Sequence, residues 1–306
     1  MKYISIKEAS EKWRISDRRI RALCSEGRIE GAIKIGRNWS IPVDAARPAD
    51  ARIGTQKNYI GLEYDCSMID SLKEAIDCYR PFSQRLADSL HEKLIVEWTY
   101  NSNAIEGNTL TMSETKVVLE GITIGGKSMV EHFETINHRE AILFVEDLIS
   151  NKEALSEWNI KNIHAIILKE IDKQNAGKYR TENVVISGAK HIPPKYYEIN
   201  YLMQKFIAEY QNDWEDYHPV VRATLLHGEF VKLHPFIDGN GRTARLLLNF
   251  ELMRSGYTPI IIKNEYRAKY YNVIDLAHTT MNYGPFIEFV SDLVIESEKL
   301  RLSVLE

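Results

Sequence analysis

The sequence predicts a mainly α-helical protein, a helical bundle with a small β-hairpin, preceded by a small winged helix-turn-helix domain. From about residue 66 onward, apolar residues recur at every third or fourth position, which is the spacing of amphipathic helices. One β-branched, glycine-containing stretch at residues 183–192 interrupts this spacing and ends at two prolines. The first fifty residues form a separate basic segment that combines short helical patterns with strand-like alternation.

Within that basic segment, Ser5 and Glu8 have the spacing of a capping box and predict the start of a first helix. Ser16 caps a second predicted helix, which stops before Gly27, and residues 33–41 alternate like a hairpin around a turn. This order of elements resembles the excisionase and MerR-like DNA-binding domains. We therefore expect a winged helix-turn-helix over residues 1–50, a linker over 51–65 and a second domain over 66–306.

Charge separates the same two parts of the chain. Residues 1–50 contain eleven Lys and Arg against seven Asp and Glu, a net charge of +4, whereas the whole chain has a net charge of −4. Arg18, Arg19 and Arg21 cluster on the second predicted helix, and Arg37 lies at the hairpin turn. Such a surface favours DNA binding through residues 1–50, and the alternative is a module for protein contacts.

The composition predicts a soluble cytoplasmic protein. With 44% hydrophobic and 27% charged residues the chain is an ordinary globular sequence. Its first residues lack the apolar core of a signal peptide, and no apolar run is long enough to span a membrane. Three scattered cysteines without CxxC spacing argue for a reducing compartment and against a zinc or disulfide framework.

Several helices of the second domain can be placed from their apolar spacing and caps. Thr111 and Glu114 form a capping box that opens a helix over residues 113–120. Apolar positions at helical spacing are Leu86, Leu90, Leu94, Trp98, Ile142, Val145, Ile149, Ile163, Ile166 and Ile167. A further apolar helix follows residue 245 and stops at Ser255 and Gly256.

The segment HPFIDGNGRTAR, residues 234–245, carries the chemistry. Its Gly-Asn-Gly precedes a helix, where free backbone N–H groups and the helix dipole favour an anion. Arg242 and Arg245 share one face of the first turn, an unfavourable place for cations unless a polyanion lies between them. Asp238 is placed to hold Mg²⁺ on that polyanion, and His234 to take a proton from a nucleophile.

This segment matches every fixed position of the Fic family pattern HPFx(D/E)GNGRxxR, and the resemblance extends over roughly residues 86–294. Residues 177–180 and 184–192 resemble the family's β-hairpin flap, which aligns a target segment by strand addition. Tyr270 and Tyr271 resemble the family's adenine-side pair. His278 stands eight residues beyond Tyr270, where relatives often have Asn, so adenosine recognition is expected to differ in detail.

The resemblance implies AMP transfer from ATP to a Ser, Thr or Tyr hydroxyl of a target protein or of the chain itself. His234 would be the general base, Asp238 would bind the Mg²⁺ cofactor, and Arg242 and Arg245 would grip the outer phosphates. The nucleotide-binding residues implied are Asp238, Gly239, Asn240, Gly241, Arg242, Thr243, Ala244, Arg245, Ser187, Gly188, Ala189, Lys190, Tyr270, Tyr271 and His278.

A second motif lies upstream, at the end of a predicted helix near residues 84–107. Ser102, Glu106 and Gly107 match the family's inhibitory motif, (S/T)xxxE(G/N). The resemblance implies that Glu106 pairs with Arg245 and obstructs the γ-phosphate, so that the enzyme inhibits itself. The alternative is a solvated carboxylate at a helix end.

Two further patterns in the second domain suggest other kinds of site, a P-loop and a metal cluster. Residues 121–128 satisfy the P-loop pattern GxxxxGK[ST], but a predicted helix precedes them where a P-loop needs a buried strand. The spacing of His218, His227 and Glu229 favours structural histidines over a metal cluster.

Two alternative functions stay open beside AMP transfer. One is hydrolytic removal of AMP at the same site, with Glu106 positioning a water. The other is a nucleotide-sensing DNA-binding regulator, against which the intact His234 argues because a sensor needs no base. A homodimer is a further hypothesis about partners.

Overall fold

The computed structural model describes residues 3–13, 20, 21, 24, 29, 31–36, 38–43, 45 and 57–306. The chain divides into two compact units, residues 1–57 and residues 58–306. Within the described residues, no helix has both the length and the apolar character that crossing a bilayer requires.

In the first unit a three-stranded antiparallel sheet accompanies one described helix. Strand β1 (Tyr3–Ser5) pairs with β3 (Asn38–Pro42), whose other edge pairs with β2 (Ile33–Ile35). The predicted hairpin of β2 and β3 is confirmed, whereas β1 has no counterpart in the prediction. Helix α1 (Ile6–Trp13) begins at the predicted capping box, where each side chain of Ser5 and Glu8 accepts from the backbone N–H of the other.

The described residues of this unit also enclose a small apolar core. Its buried members are Ile6, Ala9, Trp13, Ile20, Cys24, Ile29 and Ile41.

Part of the helix-turn-helix prediction concerns residues that the structure does not describe. Ser16, Gly27, Arg18, Arg19 and Arg37 lie outside the described residues, and so do residues 51–56 of the expected linker. In the predicted basic cluster, the described Arg21 is exposed. The winged helix-turn-helix and its DNA binding therefore stay predictions.

The second unit is helical, as predicted. Its helices are α2 (Ser67–Asp77), α3 (Gln84–Ile105), α4 (Met112–Leu119), α5 (Met129–Ser150), α6 (Glu157–Ile167), α7 (Ile199–Ala208), α8 (Pro219–Leu233), α9 (Asn240–Arg254), α10 (Arg267–Thr280) and α11 (Gly284–Leu305). Single turns of 3₁₀ helix at Tyr196–Glu198 and Asn264–Tyr266 and a π turn at Glu209–Asp213 complete the described helical elements.

Helix α9 lies at the centre of this unit, since nearly all of its residues are buried. It packs against α8, α5, α6 and α3. The run Leu246, Leu247, Leu248, Phe250 and Leu252 is buried, and the helix stops at Ser255 and Gly256 as predicted. The motif that precedes this run is thereby fixed to the core.

Residues 58–65 fall in the expected linker but belong to the second unit. Ile60 forms an isolated bridge with Asn282, and the Tyr59 ring meets the Tyr283 ring edge-on at 5.4 Å. The expected linker therefore ends earlier than predicted.

The β-hairpin predicted at residues 183–192 is wrong as a paired element. The segment turns at Gly188 (φ 78°), where Ala189 N–H bonds to the Ile186 carbonyl, but neither side of the turn forms a strand. Val185 and Ile192 are 82% and 71% exposed. A two-stranded ribbon that buries so little apolar surface has no stable ladder by itself. We keep the name flap for residues 184–192.

The P-loop interpretation of residues 121–128 fails, as the sequence predicted. Helix α4 precedes the segment and begins at the predicted Thr111–Glu114 capping box. Ser128 caps helix α5, and Lys127 donates to the Thr109 carbonyl. The segment is a loop between two helices.

Candidate active site

The loop between α8 and α9 carries the first half of the HPFIDGNGRTAR motif, and helices fix both of its ends. Helix α8 ends at Leu233 and is capped by His234, which has a left-handed backbone (φ 47°), and α9 begins after Gly239, which is left-handed too (φ 73°). The Asn240 side chain accepts from the Phe236 N–H at 3.0 Å and donates to the Phe236 carbonyl at 2.9 Å. These bonds hold the loop in one conformation.

His234 has the protonation state that a general base needs. Burial lowers its pKa to about 4, against the raising effect of the Val231 carbonyl. The imidazole is therefore neutral near pH 7 and can accept a proton. The buried Arg180 fixes the backbone at this point, since its Nε donates to the His234 carbonyl at 2.8 Å and its N–H donates to the Pro235 carbonyl at 2.9 Å.

The Gly-Asn-Gly sequence lies at the start of α9, as predicted. The first N–H groups of a helix have no partner within it, so this end favours an anion. The Thr243 hydroxyl bonds back to the Gly239 carbonyl at 2.9 Å, and Ala244 is buried in the core. These two side chains support the helix, and nucleotide contacts at their positions stay a prediction.

Asp238 and Arg242 form part of a carboxylate–guanidinium network. Asp238 is 66% exposed, and its Oδ1 accepts from the Gly239 N–H at 2.6 Å. Arg242 is buried and donates to Glu134 Oε1 at 2.9 Å and to Asp238 Oδ2 at 3.4 Å. Sequence reasoning missed Glu134, because it lies on α5, far from the motif in sequence. The predicted grip of Arg242 on phosphate would compete with this pairing.

The donor set fits a magnesium ion only together with a nucleotide. Among the described residues, no three His, Cys, Asp or Glu side chains converge on a metal position. A single exposed carboxylate suits Mg²⁺, which often takes one or two carboxylates and completes its shell with phosphates and waters.

Arg245 binds the predicted inhibitory motif at the end of α3. Its Nη2 donates to Glu106 Oε1 at 2.7 Å and to the Ser102 carbonyl at 2.8 Å, and its Nε donates to the Ser102 hydroxyl at 3.0 Å. Burial alone would lower the pKa of the Arg245 guanidinium, but the Glu106 carboxylate raises it above its ordinary value. The pairing that the resemblance implied is present, so the solvated-carboxylate alternative is wrong in this structure.

The Glu106 carboxylate lies directly on the anion-binding end of α9. A Cβ built on Gly241 would stand 2.3 Å from Glu106 Oε1 and 3.1 Å from Arg245 Nη1. This Nη1 is buried, and the guanidinium that carries it also interacts with the Tyr270 hydroxyl. A carboxylate and a guanidinium nitrogen therefore both border the place where the phosphates are predicted.

The aromatic pair on α10 divides into an inner and an outer residue. Tyr270 is buried and its hydroxyl bonds to His227 Nε2 at 2.8 Å. Tyr271 is 41% exposed and lies near the Ile105 carbonyl at the end of α3. Of the two, Tyr271 is the one that solvent reaches, and the adenine contact of this pair stays a prediction. The predicted His278 is buried and bonds to the Gly228 carbonyl at 2.8 Å.

The flap is tied at its end. The N–H groups of Lys190 and His191 donate to Asp275 Oδ1 at 2.8 and 3.2 Å. The predicted nucleotide-binding residues Ser187, Gly188, Ala189 and Lys190 surround its turn, and these contacts stay predictions.

His164 on α6 belongs to the site, although sequence reasoning placed only its apolar neighbours. Its ring stacks on Phe236 with centroids 3.6 Å apart, and its Nε2 bonds to the Asp238 carbonyl at 2.9 Å. Burial lowers its pKa to about 4. The signal by which the sequence could have identified His164 is a histidine between Ile160 and Ile167, on the buried face of a helix.

The histidines upstream of the motif are structural, as predicted. His218 caps α8 by accepting from the Val220 N–H. His227 is fully buried against Tyr270, and Glu229 accepts from the Tyr283 hydroxyl at 2.7 Å.

Comparison with known proteins agrees with this geometry. The model of the Fic/DOC family matches residues 154–252, which contain the motif. The chain is 34% identical over 226 residues to the protein adenylyltransferase Fic of Drosophila ananassae, covering 73% of the chain and 45% of that protein. It is 38% identical over 200 residues to the Drosophila willistoni protein of the same name, covering 63% and 39%. The chain thus spans less than half the length of these relatives.

Solved structures are similar too. A Fic domain containing signaling protein from Bacteroides thetaiotaomicron superposes with a TM-score of 0.72 at 30% identity, covering 78% of this chain and 96% of that one. Fic-1 from C. elegans, residues 134–508, gives a TM-score of 0.70 at 31% identity, covering 78% and 72%.

Proposed function

The chain belongs to the Fic/DOC family, and from that premise we propose that it transfers AMP from ATP to a Ser, Thr or Tyr hydroxyl of a protein. The observation that carries the proposal is the loop between α8 and α9, which joins a neutral histidine to an anion-binding helix end. His234 supplies the base at one end of this loop, and the first turn of α9 supplies the phosphate site at the other.

In the proposed reaction, the target hydroxyl oxygen attacks the α-phosphorus of ATP. A P–O bond forms to that oxygen, the bond to the β-phosphate bridging oxygen breaks, and pyrophosphate leaves. The hydroxyl proton passes to the neutral imidazole of His234, a step that the pKa of about 4 permits at physiological pH. Reactions of this kind depend mainly on positioning and on neutralising phosphate charge.

Two groups of this chain would supply that neutralisation, together with a bound Mg²⁺. The backbone N–H groups of Asn240 and Gly241 lie at the positive end of α9. Arg245 brings a buried guanidinium to the same place. Mg²⁺, held by Asp238 and the phosphates, supplies further positive charge when it is bound.

We propose that Glu106 restrains this reaction. Its carboxylate occupies Arg245 at 2.7 Å and lies against Gly241, so a bound polyphosphate meets negative charge and a guanidinium already in use. Removal of the carboxylate should relieve both effects.

Hydrolytic removal of AMP is a second candidate, because the same contact favours it. A carboxylate that lies over Gly241 is also placed to orient a water toward an α-phosphorus in that position. The two functions make opposite use of Glu106: transfer is improved by its loss, and hydrolysis is abolished.

ATP labelled at either of two phosphates tests the proposal. The protein is incubated with Mg²⁺, a cell lysate and ATP carrying ³²P in the α position, and in parallel in the γ position. Beyond the label that the lysate alone incorporates, we expect further label in protein only from α-labelled ATP, and none with His234→Ala. Label from γ-labelled ATP above that background would indicate phosphate transfer, and loss of label from a modified protein on incubation without ATP would favour hydrolysis.

A further inference from the structure

The side chain of His164 joins two segments that are far apart in sequence. Its Nε2 lies 2.9 Å from the Asp238 carbonyl, and its Nδ1 lies 2.9 Å from the Gly177 amide nitrogen. A carbonyl can only accept and an amide N–H can only donate, so Nε2 carries the proton and Nδ1 is bare. Both ring nitrogens are thus in use, and His164 has none left for proton transfer to a substrate.

Close packing fixes the position of the ring as well. The ring is fully buried and lies parallel to Phe236, with an interplanar angle of 1°. A Cβ on Gly239 would stand 3.3 Å from the imidazole. The backbone around the first glycine of Gly-Asn-Gly therefore rests on His164.

The segment that contains Gly177 also packs closely against helix α6. Gly177 is left-handed (φ 71°), and a Cβ there would lie 3.0 Å from the Lys161 carbonyl and 3.1 Å from Ala165 Cβ. Gly177 begins the run that leads to the flap. Three residues later, Arg180 bonds to the Glu182 and Pro194 carbonyls on either side of the flap.

We propose that His164 is a positioning residue that fastens the start of the flap segment and the phosphate-binding loop to helix α6. Its two bonds have separate tasks: the Nε2–H bond to Asp238 orients the peptide before Gly239, and the Gly177 bond to Nδ1 sets where the flap segment begins. The role in catalysis rests on the proposed function, whereas the double attachment is a property of the fold.

Two substitutions separate the two bonds. The amide of a Gln side chain reaches about as far as Nε2, so His164→Gln keeps the donor to Asp238 and loses the acceptor for Gly177. The shorter Asn reaches about as far as Nδ1, so His164→Asn does the reverse. His164→Phe keeps the stacked ring and loses both bonds.

Hydrogen–deuterium exchange of the full chain, read by mass spectrometry, gives the first measurement. We expect the amide of Gly177 to exchange about tenfold faster or more in His164→Gln and His164→Phe, and at the wild-type rate in His164→Asn. ADP binding by calorimetry gives the second, because ADP lacks the γ-phosphate that Glu106 opposes. The Kd should rise about tenfold in His164→Asn and His164→Phe and stay near wild type in His164→Gln.

His132→Gln is the matched control. His132 is likewise buried on a helix with both ring nitrogens hydrogen-bonded, but within the loop that precedes its own helix: its Nε2 accepts from the Ile124 N–H at 2.9 Å and its Nδ1 lies 2.7 Å from the Ser128 carbonyl. The His132→Gln substitution should lower stability without changing the affinity for ADP or the exchange rate of the Gly177 amide. Equal changes in Gln and Asn variants, or changes no larger than those of His132→Gln, would overturn the proposal. Wild-type protein that binds no ADP would count against the proposed function, while the exchange measurement would still test the attachment.

Discussion

At His234, chemistry and protonation are linked by burial. The same enclosure that places the imidazole at the start of the motif loop lowers its pKa to about 4, so it is neutral where the proposed reaction needs a base. The motif residues could be assigned roles from sequence because they lie within twelve positions. Glu134, His164 and Arg180 could not, since each contacts the motif from a distant helix or segment and no local pattern marks such contacts.

Replacement of His234 with Ala should separate chemistry from binding. Because the imidazole is expected to accept the hydroxyl proton, AMP transfer should fall by about 10²–10⁴-fold, the usual contribution of a general base. ADP binding should change little, since the phosphate site is built from α9. Steady-state transfer and calorimetry measure the two. His227→Ala, which removes a buried histidine outside the reacting groups, is the control for loss of packing. Near-normal AMP transfer by the His234→Ala variant would exclude His234 as the general base.

Among the elements, the flap departs most from its predicted structure. Its β-branched sequence is typical of a strand, but a strand needs a partner for its backbone groups, and the segment buries too little to form one within itself. The start of helix α4 and the end of helix α9 were predictable because capping side chains and glycines act locally. An exposed, unpaired, β-prone segment beside the site is consistent with a partner strand supplied by the target.

Val185 offers a test of that role. A charge there should oppose an apolar partner segment, so Val185→Asp is expected to reduce modification of a target protein about tenfold while leaving ADP binding unchanged. Ile122→Asp is the control, because Ile122 is also exposed and apolar but lies on the loop between α4 and α5. Equal loss of target modification in both variants would show that the flap has no special part in docking.

For the whole molecule, the fold class and the division into a basic and an acidic part followed from periodicity and charge. The placement of helices around α9 did not, since apolar spacing identifies the buried face of a helix without naming its neighbour. One consequence of this packing is that burial lowers the pKa of several histidines of the second unit: His138, His164, His227, His234 and His278.

Because these histidines have lowered pKa values, we expect the free energy of unfolding to fall in weak acid. The unfolded chain takes up protons near pH 6.5, whereas the folded chain resists protonation until about pH 4, so stability is retained above pH 6.5 and lost as the pH falls between these values. Urea unfolding at about pH 7.5 and about pH 5 should give a clearly lower midpoint in acid. His138→Gln should reduce that difference and His91→Gln, at a partly exposed position, should not. An unchanged midpoint would contradict the account.

The most direct test of the central claim, an AMP transferase restrained by its own glutamate, is incorporation of α-³²P-labelled AMP by wild type and Glu106→Gly at equal ATP and Mg²⁺. The substitution frees Arg245 and removes the carboxylate charge that lies beside Gly241, so self-modification should rise about tenfold or more. Glu97→Gln, which alters a carboxylate on the same helix outside the site, should behave as wild type, and Glu106→Gly combined with His234→Ala should incorporate no label. Equal incorporation by wild type and Glu106→Gly would show that Glu106 is not an inhibitor.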